Sequence, residues 1–267
     1  MVRCAPHPLL AGLVRRYTGF VEYGPRRLRR REVAQEQVTL ILNLGPPLRI
    51  GGPGEPTAQR GSFVAAITDT WAITEHDGVS SGLQVDLSPL GAHMLLGVAM
   101  HELSALVIPL DEVLGREGSE LVEALAGAAY WPARFELVDR FILRRIEAAR
   151  PPSPDVAFAW SRLVETSGRI PVAALARELG CSRRHLVARF REQVGPAPKT
   201  AARIMRFGDA VRRLSLDDGS RFADIAVDCG YYDQPHLNRD FRDLAGTSPG
   251  EYVASRLPDG FGFAAGP

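Results

Sequence analysis

The chain says one thing twice. Leu175, Ala176, Leu179 and Gly180 recur fifty residues later as Ile225, Ala226, Cys229 and Gly230, and Ser182, Leu186, Phe190, Gly195 and Pro198 recur fifty-one residues later as Asp233, Leu237, Phe241, Gly246 and Pro249. One extra residue in the second turn accounts for the change of offset. Each copy reads as a short helix stopped by glycine, a tight turn, an N-cap, and a second helix with apolar residues at i and i+4. Glycine supplies the left-handed residue that ends the first helix, and Ser182 or Asp233 accepts from backbone N–H groups that a helix start leaves unpaired. That is the sequence form of a helix-turn-helix. One copy alone would read equally well as a helical hairpin; two in register, joined by a helix, favour DNA as the partner.

Composition narrows the remaining classes. With 267 residues the chain can bury one large or two ordinary cores, and a net charge of +1 with 45% hydrophobic residues excludes a disordered polyelectrolyte. No apolar run approaches the roughly 20 residues of a spanning helix, and Met1–Ala5 lacks the apolar region of a signal peptide, so no membrane partner and a cytoplasmic location are expected. Cys4, Cys181 and Cys229 lie far apart and read as small buried thiols rather than as disulfides or metal ligands. Residues 155–256 carry 16 Arg and Lys against 13 Asp and Glu, and the rest of the chain 16 against 18, so charge alone does not point to nucleic acid.

Residues 1–105 read as β-rich. Val38, Leu40, Leu42 and Leu44 alternate, as do Phe63, Ala65 and Ile67, then Leu83, Val85 and Leu87, with Trp71–Thr74 between them and Gly/Pro turns at 45–47 and 51–54. This is the pattern of an antiparallel β-sandwich or small barrel. Arg26–Arg31 reads as a solvated connection into the first strands rather than an anion-binding patch. Gly78-Val-Ser-Ser-Gly82 matches G-x-S-x-G, but a strand follows it where a nucleophile elbow needs a helix, so a hairpin turn is expected and no catalytic residue is assigned. The Gly51–Gly54 run lacks the ending of a phosphate loop. The histidines at 7, 76, 93 and 101 are dispersed; no metal and no cofactor is expected.

From Pro89 the period turns helical. Ala92, Leu95, Leu96, Met100, Leu103 and Leu106 fall on one stripe, and 106–150 reads as a helical connector offering a dimer face, with helices over 121–126 and 135–146. Three prolines within 148–155 mark the domain boundary. The repeats follow, with helix-turn-helix units at about 172–194 and 222–245. An unbroken helix from Lys199 to about Leu216 joins them, roughly 27 Å long, enough to hold two reading helices about one DNA turn apart. Residues 257–267 read as a flexible tail.

Leu186 and Phe190 fix the buried side of the first recognition helix. At 100° per residue Arg184, Val187, Ala188 and Arg191 then face away, with Arg183 at the open N-terminus. In the second unit Leu237 and Phe241 are buried, so Pro235, Asn238, Arg239 and Arg242 face outward, flanked by Gln234 and His236. Arginine suits guanine O6/N7 or phosphate, glutamine and asparagine suit adenine, and valine a thymine methyl. Ser182, Asp233 and the helix N-termini are expected to cap the helices or touch phosphate rather than read bases.

These residues carry a resemblance. Ala174-x-Leu-Ala-x-x-Leu-Gly180-x-Ser182, Leu186-x-x-x-Phe190, Gly195-x-x-Pro198, Ile225-Ala-x-x-x-Gly-Tyr231 and Phe241-x-x-x-x-Gly-x-x-Pro249-x-x-Tyr252 resemble the DNA-binding domain of the AraC/XylS family of bacterial transcriptional regulators, over residues 155–256. The resemblance implies seven helices, two units reading successive major grooves, and a cupin-like sensor domain ahead of them. One departure is Ala188, where the family commonly has arginine. The expected fold is thus multi-domain: a cupin-like β-sandwich or barrel with helices, then an all-α domain with two helix-turn-helix motifs. The expected function is a sequence-specific transcription regulator, not an enzyme, acting on promoter DNA, with a small-molecule effector and RNA polymerase as further partners and a monomer or homodimer as its state. A regulator with no ligand and a DNA-tethered enzyme with hydrolase-like activity are the alternatives, and no effector-binding residue is assigned.

Overall fold

Period-2 alternation in the first hundred residues builds two antiparallel sheets. The computed structural model describes every residue except 25, 55, 57, 104–106, 217–220, 257–262 and 265–267. In chain order the strands are β1 (Val2–Cys4), β2 (Val14–Tyr23), β3 (Leu28–Glu32), β4 (Val38–Asn43), β5 (Leu48–Gly51), β6 (Ala58–Arg60), β7 (Phe63–Ala65), β8 (Ala72–His76) and β9 (Val79–Leu87). After the short helices α1 (Pro89–Leu96) and α2 (Met100–Leu103) come β10 (Val107–Pro109), α3 (Leu110–Gly127) and α4 (Trp131–Glu147). The C-terminal part holds α5 (Pro154–Glu165), α6 (Val172–Glu178), α7 (Arg183–Val194), α8 (Pro198–Leu214), α9 (Phe222–Asp228), α10 (Gln234–Ala245) and α11 (Pro249–Ala254), and β11 (Phe263–Ala264) follows. One sheet runs β1-β2-β9-β4-β7-β10 and the other β11-β3-β8-β5-β6.

Alternation decides which side chains meet which layer. On the first sheet Tyr17, Leu40, Leu42, Leu83 and Val85 join the main core with α3 and α4, whereas Ile41 and Phe63 face the second sheet and pack on Leu48 and Ile50. Tyr17 stacks on Phe135 at 6.0 Å and donates its hydroxyl to Asp139 at 2.7 Å. Burial, reinforced by that carboxylate, pushes the phenol far above its ordinary pKa. Between the sheets, Arg30 of β3 meets Glu22 of β2 at 2.9 Å and His76 of β8 meets the other Glu22 oxygen at 3.1 Å.

Four expectations change. Arg26–Arg31 is not a solvated connection: residues 28–32 are strand β3, Arg30 is buried against Glu22, and Arg31 packs between Trp71 and Phe263. Clusters of arginine read as solvated by composition, but strand pairing brings Arg30 to the Glu22 carboxylate, Arg31 to Trp71 and Phe263, and Arg29 to the Gly54 carbonyl. The stripe from Ala92 to Leu106 is not one helix, since Gly97 adopts the left-handed conformation (φ 70°) and ends α1; Leu106 lies outside the described residues. The helix expected at 121–126 is longer, running from Leu110 and kinked at Gly115. Gly78, at φ 87°, makes the turn between β8 and β9, but Ser80 lies inside β9, buried and paired across from Glu22, so the hairpin turn ends before it.

Among the described residues the C-terminal part has seven helices, and non-helical residues 148–153 precede it. Most of the expected flexible tail lies outside the described residues, but Phe263 and Ala264 are not free: they pair with Arg31 and Arg30 at the edge of β3. Glycine-rich chain does not order by itself, yet an unpaired strand edge supplies the partners its backbone lacks.

Cys229 is buried against Asp209, and burial with that carboxylate pushes its thiol up to about 12. The thiolate is the reactive form. In the folded chain iodoacetamide at pH 8 should therefore leave Cys229 unmodified while the half-buried Cys4 and Cys181 react, with denaturant exposing the third thiol; mass spectrometry after alkylation checks this.

Candidate nucleic-acid interface

Each repeat folds as its punctuation dictates. Gly180 (φ 63°) and Gly230 (φ 79°) take the left-handed conformation after α6 and α9. Ser182 Oγ then accepts from His185 N at 3.2 Å, and Asp233 Oδ1 accepts from His236 N at 2.9 Å, capping α7 and α10. Behind α7, Leu186, Phe190 and Val194 are buried against Val156, Trp160 and Leu175. Behind α10, Leu237, Phe241 and Leu244 are buried, with Phe241 edge-on to Phe207 at 4.9 Å and to Tyr252 at 5.8 Å.

The opposite faces stay open. Arg183, Arg184, Ala188 and Arg191 are exposed on α7, with Val187 half-buried beside them. On α10 Pro235, Arg239 and Arg242 are exposed. Three residues differ from a plain outward placement. Gln234 is half-buried at the start of α10. His236 sits edge-on to Tyr231 at 5.1 Å, folded against its own turn. Asn238 is half-buried, and its Oδ1 lacks a hydrogen-bond partner. Ser182 is exposed but its Oγ is already engaged as the cap. The nearby carboxylates are neutralised away from the open faces: Glu192 by Arg189 at 2.9 Å, Asp240 by Arg203 at 2.8 Å and Asp243 by the same guanidinium.

Sequence reading passed over two kinds of residue. Tyr232, 90% exposed, projects from the turn between α9 and α10. Its signal was the extra residue in the second turn. Arginines that place the second unit were also missed: Arg203 of α8 holds the inner side of α10, Arg206 donates to Gly168 O at 2.8 Å, and Arg169 donates to Asp228 O at 2.8 Å. In a sequence these read as ordinary surface charge.

The N-terminal domain touches the first unit along its recognition helix and the second at the end of its own. Helices α1 and α2 lie against α7, and Leu90 is buried in the core of the first unit. A crevice of about 260 Å³ lies where Thr68 and Asp69 approach Arg191 and Thr200. At the second unit, Ala34 N donates to Leu244 O at 2.9 Å and Arg31 Nη1 to Gly246 O at 2.7 Å.

Comparison with known proteins agrees with this geometry. Residues 175–255 match the family profile described as a helix-turn-helix domain. The crystal structure of ToxT from Vibrio cholerae O395 resembles the chain with a TM-score of 0.51 and 12% identity, covering 89% of this chain and 97% of that one. The same protein bound to (E)-4-(8-methylnaphthalen-1-yl)but-3-enoic acid matches with a TM-score of 0.51 and 13% identity, covering 89% and 98%. The DNA-binding domain of the global transcriptional factor AdpA, in complex with a target DNA, is 30% identical over 38% of this chain and 92% of its own, with a TM-score of 0.36. No curated protein sequence matches. Residues 175–255 form an AraC-type helix-turn-helix domain. Its β-rich domain followed by that helical domain is the two-domain architecture of ToxT.

Removing a cap leaves the first backbone N–H groups of a helix without an acceptor, at a cost of about 1 kcal/mol. Asp233→Ala should lower the stability of the full chain by about that amount in urea unfolding, with Asp233→Ser restoring most of it, since serine also caps. An equal loss with serine would show that the carboxylate charge, not the cap, is what matters.

Proposed function

We propose that the chain binds promoter DNA by laying α7 and α10 into successive major grooves. The observation that carries this reading is the pair of capped helices with open, arginine-bearing faces, joined by the single helix α8. Its 17 residues span roughly 26 Å at 1.5 Å per residue, about three quarters of a duplex turn, a spacer on which two reading helices can sit about one turn apart. In the first unit Arg184 and Arg191 take guanine or phosphate, Val187 and Ala188 allow close approach to a thymine methyl, and Arg183 and Ser182 lie at the phosphate backbone. In the second, Arg239 reads guanine, Arg242 and Tyr232 reach phosphate, and Gln234, Pro235, His236 and Asn238 line the groove. Asn238 reaches adenine only after its side chain turns out of its half-buried position.

The chain acts by binding rather than catalysis, and the N-terminal domain controls it through an effector or partner. Support for control comes from the contact of α1 and α2 with the first recognition helix, which gives any change in the sandwich a direct route to DNA-reading residues. A small carboxylic acid is a reasonable first effector to screen, since ToxT has been crystallised with one. RNA polymerase is the natural partner at a promoter, the site of action is the cytoplasm, and the chain works as a monomer or homodimer.

The test is selection from a randomised duplex library by the full chain, followed by titration at two salt concentrations. The expected product is a bipartite site with halves about one helical turn apart. On that site Arg184→Ala and Arg239→Ala should each cost about 1–3 kcal/mol and relax preference at one position. Tyr232→Phe should weaken specific and random DNA equally, as a phosphate contact does. Enrichment of a single half-site would overturn the two-groove reading.

A further inference from the structure

The hydrophobic cores do not divide at the proline-rich linker. The second helix-turn-helix unit shares one continuous apolar cluster with the sandwich: Phe207, Phe241, Tyr252 and Phe263 belong to the same core as Leu40 and Val85. The first unit has a core of its own, to which the N-terminal domain contributes one buried residue among those described, Leu90. The two cores meet along α8, where Ala201, Ala202 and Met205 belong to the first and Ile204, Phe207 and Ala210 to the second.

The C-terminal segment closes the joint. Phe263 is 2% exposed, lies edge-on to Tyr252 at 5.2 Å, and pairs with Arg31 across the edge of β3. The Arg31 guanidinium stacks 4.5 Å from Trp71 and 5.3 Å from Phe263, and donates to Gly246 at the end of α10. Gly246 can accept that approach because it has no side chain: a Cβ there would stand 2.3 Å from the Trp71 ring. By contrast the first unit meets α1 and α2 along α7, where Leu90 is buried in its core, and Gln193 of α7 accepts from Ser153 N at 2.9 Å.

We propose that the N-terminal domain and the second helix-turn-helix unit form one body, strapped together by the C-terminal segment at Phe263, and that switching moves the first unit against that body. The clause about switching rests on the regulatory reading above; the division into bodies does not. Segments held by one core open together, whereas segments on separate cores open independently. Control then acts on the spacing and angle of α7 relative to α10, with the contact at Leu90 as the part that breaks.

Amide hydrogen exchange on the full chain tests this without DNA or effector. Phe263→Ala should raise exchange about tenfold or more in β3, at Ala34 and at the end of α10, and leave α7 unchanged. Leu90→Ala should do the reverse, raising exchange in α1 and α7 and leaving β3 and α10 as they were; should that variant fail to fold, Leu90→Val makes the same comparison. Unchanged exchange in β3 on loss of Phe263, or a rise at both units on loss of Leu90, would overturn the proposal. Failure of the bipartite-site selection with this exchange pattern intact would count against the DNA reading alone.

Discussion

One leucine and one phenylalanine, four residues apart, orient each recognition helix. Burying Leu186 with Phe190 and Leu237 with Phe241 removes four large apolar side chains from water, each worth about 1.5–3 kcal/mol. A helix can satisfy such a pair in only one rotation about its axis, so everything at right angles or beyond is left to solvent. The open arginine faces of α7 and α10 are a consequence of that burial, and the caps at Ser182 and Asp233 fix where each helix begins. Base-reading geometry is therefore set by residues that would never touch a base.

What was legible follows from this. The repeat carries its own punctuation, so the glycine stops, the caps and the buried pairs could be read from spacing alone. Strand alternation was legible for the same reason: Leu40 and Leu42 face the helices as period-2 pattern requires. Effects that depend on residues distant in sequence were not. Arg31 reads as solvated until Trp71, Gly246 and Phe263 converge on it from positions 40, 215 and 232 residues away. Likewise Asn238 falls on the outward side of a helical wheel, yet its neighbours leave it half-buried.

Leu175 and Ile225, or Phe190 and Phe241, do the same local work, but their cores connect differently. Repetition in sequence thus hides an asymmetry in the folded chain. The second unit gives up Gly246 and Tyr252 to contacts with β3 and the C-terminal strand, while the equivalent stretch of the first unit, at Gly195 and Pro196, lines an open crevice.

That asymmetry bears on how two half-sites are bound. If both units hung freely from α8, the second binding event would follow the first at an effective concentration set by one helix. With the second unit sharing an apolar core with the sandwich, its position is set by that core, and the first unit becomes the variable partner. In the DNA complex proposed above, Ala188 would give that partner fewer direct base contacts than an arginine there would supply. A first unit on a core of its own is the one whose placement a modest free-energy change can alter, because a bistable element responds to a ligand only as far as the ligand's differential affinity exceeds the gap between its states.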